Sequence, residues 1–289
     1  MSHKAIKWSG VFPAVSTQFR SDFSLDLDAT HTVIKNLVKD GVSGLVVCGT
    51  VGENTSLTVQ EKLSVIEVAR DAAQGKVPVI AGIAEFTTAF ARNMAREAQK
   101  VGVDGIMVMP ALVYSAKPHE TATHFRSVAT ATDLPIMVYN NPPIYKNDVT
   151  PDILTSLVDC ENIVCFKDSS GDTRRFIDLR NEVGDRFVLF AGLDDVVLES
   201  IAVGPKVGYP GCPTPFRVKA KRCSAWRSKN ALKKRYRYTV GLCRCCTSMR
   251  GRTWCSASSC VKSWWAAAAP LPVPRAWRCK ATRWRKSPR

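Results

Sequence analysis

A lysine stands at the polar end of an apolar run, at position 167 of the 289-residue chain. Residues 163–166 have the composition of a buried strand, and the Ser, Gly and Asp residues that follow are typical of a strand leaving its sheet. Burial disfavours an ammonium group and favours a neutral amine, which can attack a carbonyl carbon. Lys167 therefore indicates a Schiff-base nucleophile. The alternatives are a lysine that extends back to solvent from the strand end, or one in a structural ion pair.

Other polar side chains follow neighbouring apolar runs. Thr50 lies in the turn after one run, Glu85 and Tyr114 follow two others, and Tyr139 ends a fourth in Tyr139-Asn140-Asn141-Pro142. A phenol beside a Schiff-base lysine can shuttle protons to the carbinolamine, and a threonine hydroxyl can relay them. Each also has a plainer reading: Tyr139 as a core aromatic, Thr50 as a helix cap and Glu85 as a solvated loop acid.

The apolar runs alternate with helical patterns along the first 204 residues. We expect strands over residues 10–19, 44–49, 77–84, 105–111, 135–141, 163–169 and 187–192. Helices are expected over residues 28–41 with Asp28 as N-cap, 58–75 with a Thr58/Glu61 capping box, 88–101, 120–131, 151–158, 173–183 and 194–203. Near-continuous apolar strands between helices predict a parallel sheet. A repeat of about 25–30 residues fits a TIM (β/α)8 barrel, with seven of its eight strands legible, better than a doubly wound sheet. No glycine-rich nucleotide loop follows the first strand.

The composition divides the chain at residue 204. Residues 1–204 hold all 25 acidic side chains and 19 basic ones, whereas residues 205–289 hold 22 basic side chains, eight of the eleven Cys and six of the seven Trp. We therefore expect a catalytic barrel domain over 1–204 and a separate basic tail over 205–289. The sequence shows no signal peptide and no apolar span of about 18 residues, so no membrane association is expected. Residues 1–204 contain three Cys, and their spacing is not that of a disulfide framework. This indicates a reducing, cytoplasmic compartment.

Several motifs in order carry a family resemblance over residues 10–204. They are Gly49-Thr50-Val51-Gly52-Glu53, the Tyr-Asn-x-Pro strand end at Tyr139, Lys167 twenty-eight residues later, and Ala191-Gly192-Leu193-Asp194-Asp195. This pattern resembles the dihydrodipicolinate synthase/N-acetylneuraminate lyase family. The resemblance implies a class I aldolase-type barrel in which Lys167 forms the imine, Tyr139 is the general acid/base and Thr50 belongs to a proton relay. It further implies a small 2-oxo or cyclic imino acid substrate, a homotetramer, no metal or organic cofactor, and substrate contacts at Val51, Tyr114, Asn141, Glu85 and Gly192.

Departures from the family pattern bear on the substrate. Val51 replaces a hydroxyl residue that helps bind the substrate carboxylate, so backbone amides must serve, and Ile144 replaces the arginine of true synthases. The combination most resembles the 1-pyrroline-4-hydroxy-2-carboxylate deaminases of hydroxyproline breakdown, which release ammonia and 2,5-dioxopentanoate. The alternatives are 4-hydroxy-tetrahydrodipicolinate synthase, or another 2-keto-3-deoxy acid aldolase or dehydratase of the family. An alternative of another class is a basic polyanion-binding protein on an inactive barrel.

The sequence of the tail indicates a shift of the reading frame within a gene of this family. When the last base of each codon is joined to the first two of the next, residues 204–217 permit A-K-G-W-(I/V)-S-G-(L/M)-(S/P)-N-A-(F/V)-P, which resembles the family's eighth strand and loop. One missing base in the Gly204 codon would produce the observed chain. The competing reading is a nucleic-acid or zinc module, based on the aromatic and basic run at residues 233–238 and on five cysteines. Those cysteines, Cys243, Cys245, Cys246, Cys255 and Cys260, do not form the two paired C-x2-C knuckles of a zinc module. Because the frame shift also accounts for the basic run, we expect no specific nucleic-acid partner.

Overall fold

The computed structural model describes residue 6 and residues 8–205. Six parallel strands pair in chain order: β1 (Leu45–Val47), β2 (Val79–Ile83), β3 (Gly105–Val108), β4 (Ile136–Asn140), β5 (Ile163–Asp168) and β6 (Val188–Ala191). A doubly wound sheet reverses its strand order at a switch point, where its ligand binds. The order here never reverses, as in a barrel.

Helices connect the strands. They are α1 (Leu27–Lys39), α2 (Val59–Ala73), α3 (Thr88–Val101), α4 (Pro118–Ala129), α5 (Pro142–Tyr145), α6 (Pro151–Thr155), α7 (Arg174–Val183) and α8 (Val197–Val203), with a 3-10 turn at Asn54–Ser56. The Thr58/Glu61 capping box is confirmed, since each residue's side chain accepts the other's backbone N–H. The N-cap of α1 is Asp26, whose carboxylate accepts from Ala29 N–H, so the prediction of Asp28 is wrong. Asp28 lies in the first turn of α1, where its negative charge interacts favourably with the helix dipole.

The two faces of the sheet form two apolar clusters. Outward side chains pack against the helices, and inward side chains from different strands pack against one another. Val46, Ile80, Met107, Met137 and Phe190 belong to the inner cluster. A parallel sheet with its own core on the concave face and helices on the convex face is the arrangement of a TIM barrel. The expected fold class is confirmed.

The first expected strand is present only as an isolated bridge. Ala14 pairs with Val46 of β1, Val15 N–H donates to the Val46 carbonyl at 2.8 Å, and Val46 N–H donates to the Pro13 carbonyl at 2.9 Å. Pro13 has no N–H, so the ladder cannot continue through it. The prediction of seven regular strands is therefore corrected to six. Residues 11–17 form an irregular segment that lies along the edge of β1.

The predicted basic tail, 205–289, lies outside the described residues apart from Pro205. Within residues 8–205, β6 pairs with β5 and no other strand. No helix in this part of the chain combines the length and the apolar character needed to cross a membrane.

Restoring one base in the Gly204 codon should stabilise the protein. The restored segment has the pattern of an eighth strand, which would pair with the second edge of β6 and close the sheet. We expect a sharper thermal transition at higher temperature than for the chain as written, with about 2–4 °C gained per kcal/mol in a domain of this size. Circular dichroism melting and turnover of the two proteins measure this. Equal melting and equal turnover would show that the tail is tolerated.

Candidate functional site

A one-residue register shift between β4 and β5 sets the geometry of the site. Ile136 pairs with Ile163, but the next residue, Met137, pairs with Cys165. Val164 and Cys165 consequently both pack against the inner cluster. In a regular strand they would face opposite sides. The shift makes Tyr139 and Lys167 direct cross-strand neighbours and places the Lys167 side chain on the same concave face as that of Tyr139.

Lys167 is 4% exposed, at the carboxyl end of β5. Its Nζ lies 4.4 Å from the centroid of the Tyr139 ring and 3.9 Å from Met107 Sδ. No ion pair among the described residues includes it. The amine therefore faces the interior of the barrel, which fits neither a lysine extended to solvent nor a structural ion pair.

The Tyr139 hydroxyl is held by two donors. Its oxygen accepts from Asn141 Nδ2 at 3.0 Å and from Ser169 Oγ at 3.3 Å. Two donors to the oxygen stabilise negative charge there and leave the phenol's own proton available for transfer. Asn141, predicted to bind substrate, is placed as an orienting group for Tyr139. Sequence reasoning missed Ser169, although a period of two from Lys167 puts it on the same face.

Gly192 lies against Ser169 at the carboxyl end of β6. Its N–H donates to the Asp168 carbonyl at 2.7 Å. A Cβ at this position would lie 2.0 Å from Ser169 Oγ and 2.6 Å from the Asp168 carbonyl oxygen. The glycine, predicted to contact substrate, therefore permits the close approach that holds Ser169 beside Tyr139.

Thr50 contacts a second phenol that sequence reasoning missed. Its Oγ1 is hydrogen-bonded to the hydroxyl of Tyr145, at the end of α5. The Tyr145 ring meets the Tyr139 ring edge-on, with centroids 5.8 Å apart and planes at 82°. Burial raises the pKa of Tyr145, and the neighbouring Tyr139 raises it further. Thr50 does not cap the following helix, since Thr58 is the N-cap of α2.

The turn that carries Thr50 and Val51 is fixed by backbone contacts. Thr17 Oγ1 donates to the Gly52 carbonyl at 2.7 Å, and Asn54 Nδ2 donates to the Cys48 carbonyl at 2.8 Å. A Cβ on Gly52 would lie 3.0 Å from the Val15 carbonyl, so the turn is packed against the first segment. Val51 is half-buried beside Thr50. Its backbone is thus pre-organised at the strand ends, where a substrate carboxylate would need amide donors.

Two predicted site residues are not brought to this cluster. Glu85 is ion-paired with Lys62 at 2.6 Å, and the two side chains are only 11% and 5% exposed. It is therefore neither a solvated loop acid nor directed at Lys167. Tyr114 is 63% exposed and lines a small cavity with Thr88 and His124. Within this chain the phenol that contacts the Tyr139 ring is Tyr145.

A polar layer ties the ends of β4 and β5 on the convex face. Asn140 Nδ2 donates to Asp168 Oδ1 at 2.7 Å and to Asp148 Oδ1 at 3.2 Å, and Arg175 forms two hydrogen bonds to Asp148. Burial raises the pKa of Asp168, against the lowering effect of its Ser170 hydrogen bond. No three metal-ligating side chains cluster within the described part of the chain.

Comparisons with known proteins match the chain to one family. The model of the dihydrodipicolinate synthetase family matches residues 7–211. A 4-hydroxy-tetrahydrodipicolinate synthase of Methanospirillum hungatei JF-1 is 37% identical over 204 residues, covering 69% of each chain. An uncharacterized DapA-like lyase of Rhizobium meliloti is 37% identical over 187 residues, covering 65% of this chain and 62% of its own.

Solved structures match as well. The DapA-2 dihydrodipicolinate synthase of Bacillus anthracis has a TM-score of 0.85 at 24% identity, covering 94% of this chain and 95% of its own, which shows the shared fold. YagE of E. coli K12, a dihydrodipicolinic acid synthase family protein solved in complex with pyruvate, has a TM-score of 0.74 at 27% identity. That match covers 83% of this chain and 80% of YagE.

The buried Lys62–Glu85 pair predicts a stability effect. Lys62→Met should cost about 3–5 kcal/mol of unfolding free energy, because it leaves a buried carboxylate without its partner. Lys62→Met/Glu85→Met should recover most of this loss. Urea unfolding measures both, with Lys100→Met, which breaks the exposed Lys100–Glu97 pair, as a control of near-zero effect. A Glu85→Gln variant that weakened substrate affinity at unchanged stability would instead support the predicted substrate role.

Proposed function

Because the chain belongs to the dihydrodipicolinate synthetase family, we propose that it is a Schiff-base lyase in which Lys167 reacts with the 2-oxo group of a small acid. The observation that carries the proposal is the buried amine of Lys167 beside the Tyr139 ring, in direct cross-strand register. The pyruvate bound in the structure of the relative YagE supports a 2-oxo acid as the reacting partner.

The residues fit specific steps of imine formation. The Lys167 amine adds to the 2-oxo carbon to form a carbinolamine. Tyr139 then donates its proton to the carbinolamine hydroxyl, which leaves as water as the C=N bond forms; the nitrogen keeps its proton, so the product is the protonated imine and Tyr139 is left as the phenolate. Donors from Asn141 and Ser169 stabilise the Tyr139 phenolate until it is reprotonated. Backbone amides of the turn at Thr50 and Val51 hold the substrate carboxylate.

The first specific candidate is 4-hydroxy-tetrahydrodipicolinate synthase, the name borne by the Methanospirillum relative. In this reaction the imine of pyruvate loses a proton from its methyl carbon, and the resulting enamine adds to the aldehyde carbon of aspartate semialdehyde. The names of the relatives support this candidate better than they support deamination of a hydroxy-pyrroline carboxylate. We therefore place it first.

The second candidate is the deaminase, and Ile144 favours it. This half-buried side chain offers no donor to the second carboxylate that aspartate semialdehyde brings. The pyrroline has a single carboxylate. Lys167 would attack its C=N carbon and open the ring, the 4-hydroxyl would leave as water, and hydrolysis would release ammonia and 2,5-dioxopentanoate. The net reaction consumes one water and needs no oxidant.

Assembly and compartment remain parts of the proposal. Phe86, Phe90, Val113 and Tyr114 are each more than half exposed, and they lie on α3 and on the loops at its start and after β3. Exposed apolar side chains of this kind are typical of an association surface, which supports a homotetramer. The thiols of Cys48, Cys160 and Cys165 are free, as in a reducing cytoplasm.

Lys167 should carry the substrate covalently. Borohydride added in the presence of pyruvate should leave an N-carboxyethyl group on Lys167, found by peptide mass spectrometry. Lys167→Ala should abolish the adduct, whereas Lys146→Ala removes an exposed lysine and should not change it. Trapping that persists in Lys167→Ala would overturn the assignment.

The substrate is decided by comparing kcat/KM for two reactions. We expect condensation of pyruvate with aspartate semialdehyde to exceed ammonia release from 1-pyrroline-4-hydroxy-2-carboxylate. Ile144→Arg should raise the condensation about 10-fold to 100-fold, since a hydrogen bond to a charged group contributes about 1.5–3 kcal/mol. Ile177→Arg, on the exposed surface of α7, is the control. Faster ammonia release would transfer the assignment to the deaminase and leave the Lys167 chemistry intact.

A further inference from the structure

We propose that Asn147 is a positioning residue for substrate binding, which ties together two loops at the carboxyl ends of the strands. The β3 loop covers residues 109–117 between β3 and α4, and the β4 loop covers residues 141–147 after β4. The tied loops set the affinity for the part of the substrate that lies beyond the carbon attacked by Lys167. The inference rests on the proposed Schiff-base function and adds to it a residue that acts through others.

The side-chain amide of Asn147 joins the two loops and is only 2% exposed. Its Nδ2 donates to the carbonyls of Ala111 and Tyr114, each at 3.2 Å, and its Oδ1 accepts from Ala116 N–H at 2.5 Å. Ser115 Oγ adds a further link, since it donates at 2.8 Å to the carbonyl of the residue before Asn147. One side chain thus satisfies three backbone groups of the β3 loop, a segment without regular secondary structure.

Asparagine suits this position because its amide carries two N–H donors and one carbonyl acceptor. An aspartate of the same shape can accept from the Ala116 N–H, but it has no donor for the two carbonyls of the β3 loop. An alanine offers neither group. Removing the donors leaves backbone carbonyls without a partner, and the β3 loop then has to move towards water to satisfy them.

The end of the β4 loop is anchored on its other side by the residue after Asn147. Asp148 accepts from Asn140 of β4 and forms two hydrogen bonds with Arg175 of α7. Asn147 and Asp148 therefore hold the end of the loop between the β3 loop on one side and the sheet and α7 on the other. Few internal contacts are typical of loops that open locally, so these contacts restrict the β4 loop to one position.

Both loops carry side chains that reach the site. Leu112 of the β3 loop and Tyr145 of the β4 loop pack against the inner cluster that contains Tyr139. Lys167 and Tyr139 themselves are positioned by strand pairing, which does not involve either loop. In a TIM barrel the loops after the strands build the ligand site, so substrate atoms beyond the reacting carbon lie against them. Asn147 should therefore affect the fit of those atoms without affecting the reaction at Lys167.

Asn147→Asp tests this because it keeps the side-chain shape and removes the two donors. One readout is the rate of borohydride trapping with pyruvate, which reports the reaction at Lys167. The other is KM for aspartate semialdehyde or for the pyrroline, whichever the parent turns over faster. We expect KM to rise about 10-fold at an unchanged trapping rate, since a misplacement of about 1 Å can cost up to about 100-fold. Both are measured in the chain as written and in its frame-restored form.

Asn162→Asp is the matched control. Asn162 also donates from Nδ2 to two backbone carbonyls, those of Ala129 and Thr132, each at 2.9 Å. It precedes β5 and therefore lies at the opposite end of the sheet from Lys167. The same substitution there removes the same two hydrogen bonds and should change neither KM nor the trapping rate.

Hydrogen–deuterium exchange measures the tie between the loops without a substrate. Asn147→Ala also removes the acceptor of the Ala116 N–H. Peptides from residues 109–117 should therefore exchange faster than in the parent, whereas exchange in β4 and β5 should stay the same.

The outcomes separate this role from the proposed function. An unchanged KM in Asn147→Asp, a trapping rate that falls by the same factor as KM rises, or an equal effect of Asn162→Asp would each overturn the positioning role while the Lys167 imine stands. Exchange at the parent rate in Asn147→Ala would overturn the tie itself. A parent protein that traps no pyruvate in either form would overturn the Schiff-base function, and faster exchange in Asn147→Ala would still show the tie.

Discussion

The one-residue register shift in β5 is the constraint on which the site depends. Without it, Tyr139 would pair with Phe166, and Lys167 would turn towards the helices instead of the barrel interior. With it, Phe166 packs on the convex face while Lys167 and Ser169 both reach Tyr139. A buried lysine on the convex face would have no reacting partner. The shift thus converts an apolar strand into one that presents an amine.

The shift is held in place from both faces. On the convex face the hydrogen bond from Asn140 to Asp168 joins the residues that follow Tyr139 and Lys167, and Arg175 anchors Asp148 behind them. On the concave side the close approach of Gly192 fixes Ser169. These contacts restrict the strand ends to one register, which keeps the amine, the phenol and its donors in fixed relative positions. Pre-organisation of this kind is what proton transfer between side chains requires.

The sequence predicts most of the fold and only part of the site. Apolar runs and caps place the strands and most helices, because burial and capping are local signals. The first segment is irregular because Pro13 lacks an N–H for the ladder. A prediction from apolar residues alone does not detect this, since it treats Pro13 as part of the apolar run. The side to which Lys167 points cannot be read from residues 163–166, since a continuous apolar run has no alternation. The ion pair of Glu85 and the position of Tyr145 in the site could not be predicted for another reason. Their partners, Lys62 and Thr50, are 23 and 95 residues away in the sequence.

Strands and loops divide the chemistry of this site. Lys167 and Tyr139 belong to paired strands, so the register that builds the sheet also fixes the two residues that are proposed to form the imine. Thr50, Val51, Ile144 and Tyr145 lie on connections between strands, which can change without disturbing the sheet. Sequence similarity in the strands therefore supports assigning this chain to the same lyase class as its relatives. In the proposed function the substrate is selected by loop side chains such as Ile144, so similarity of the sheet alone does not identify the substrate.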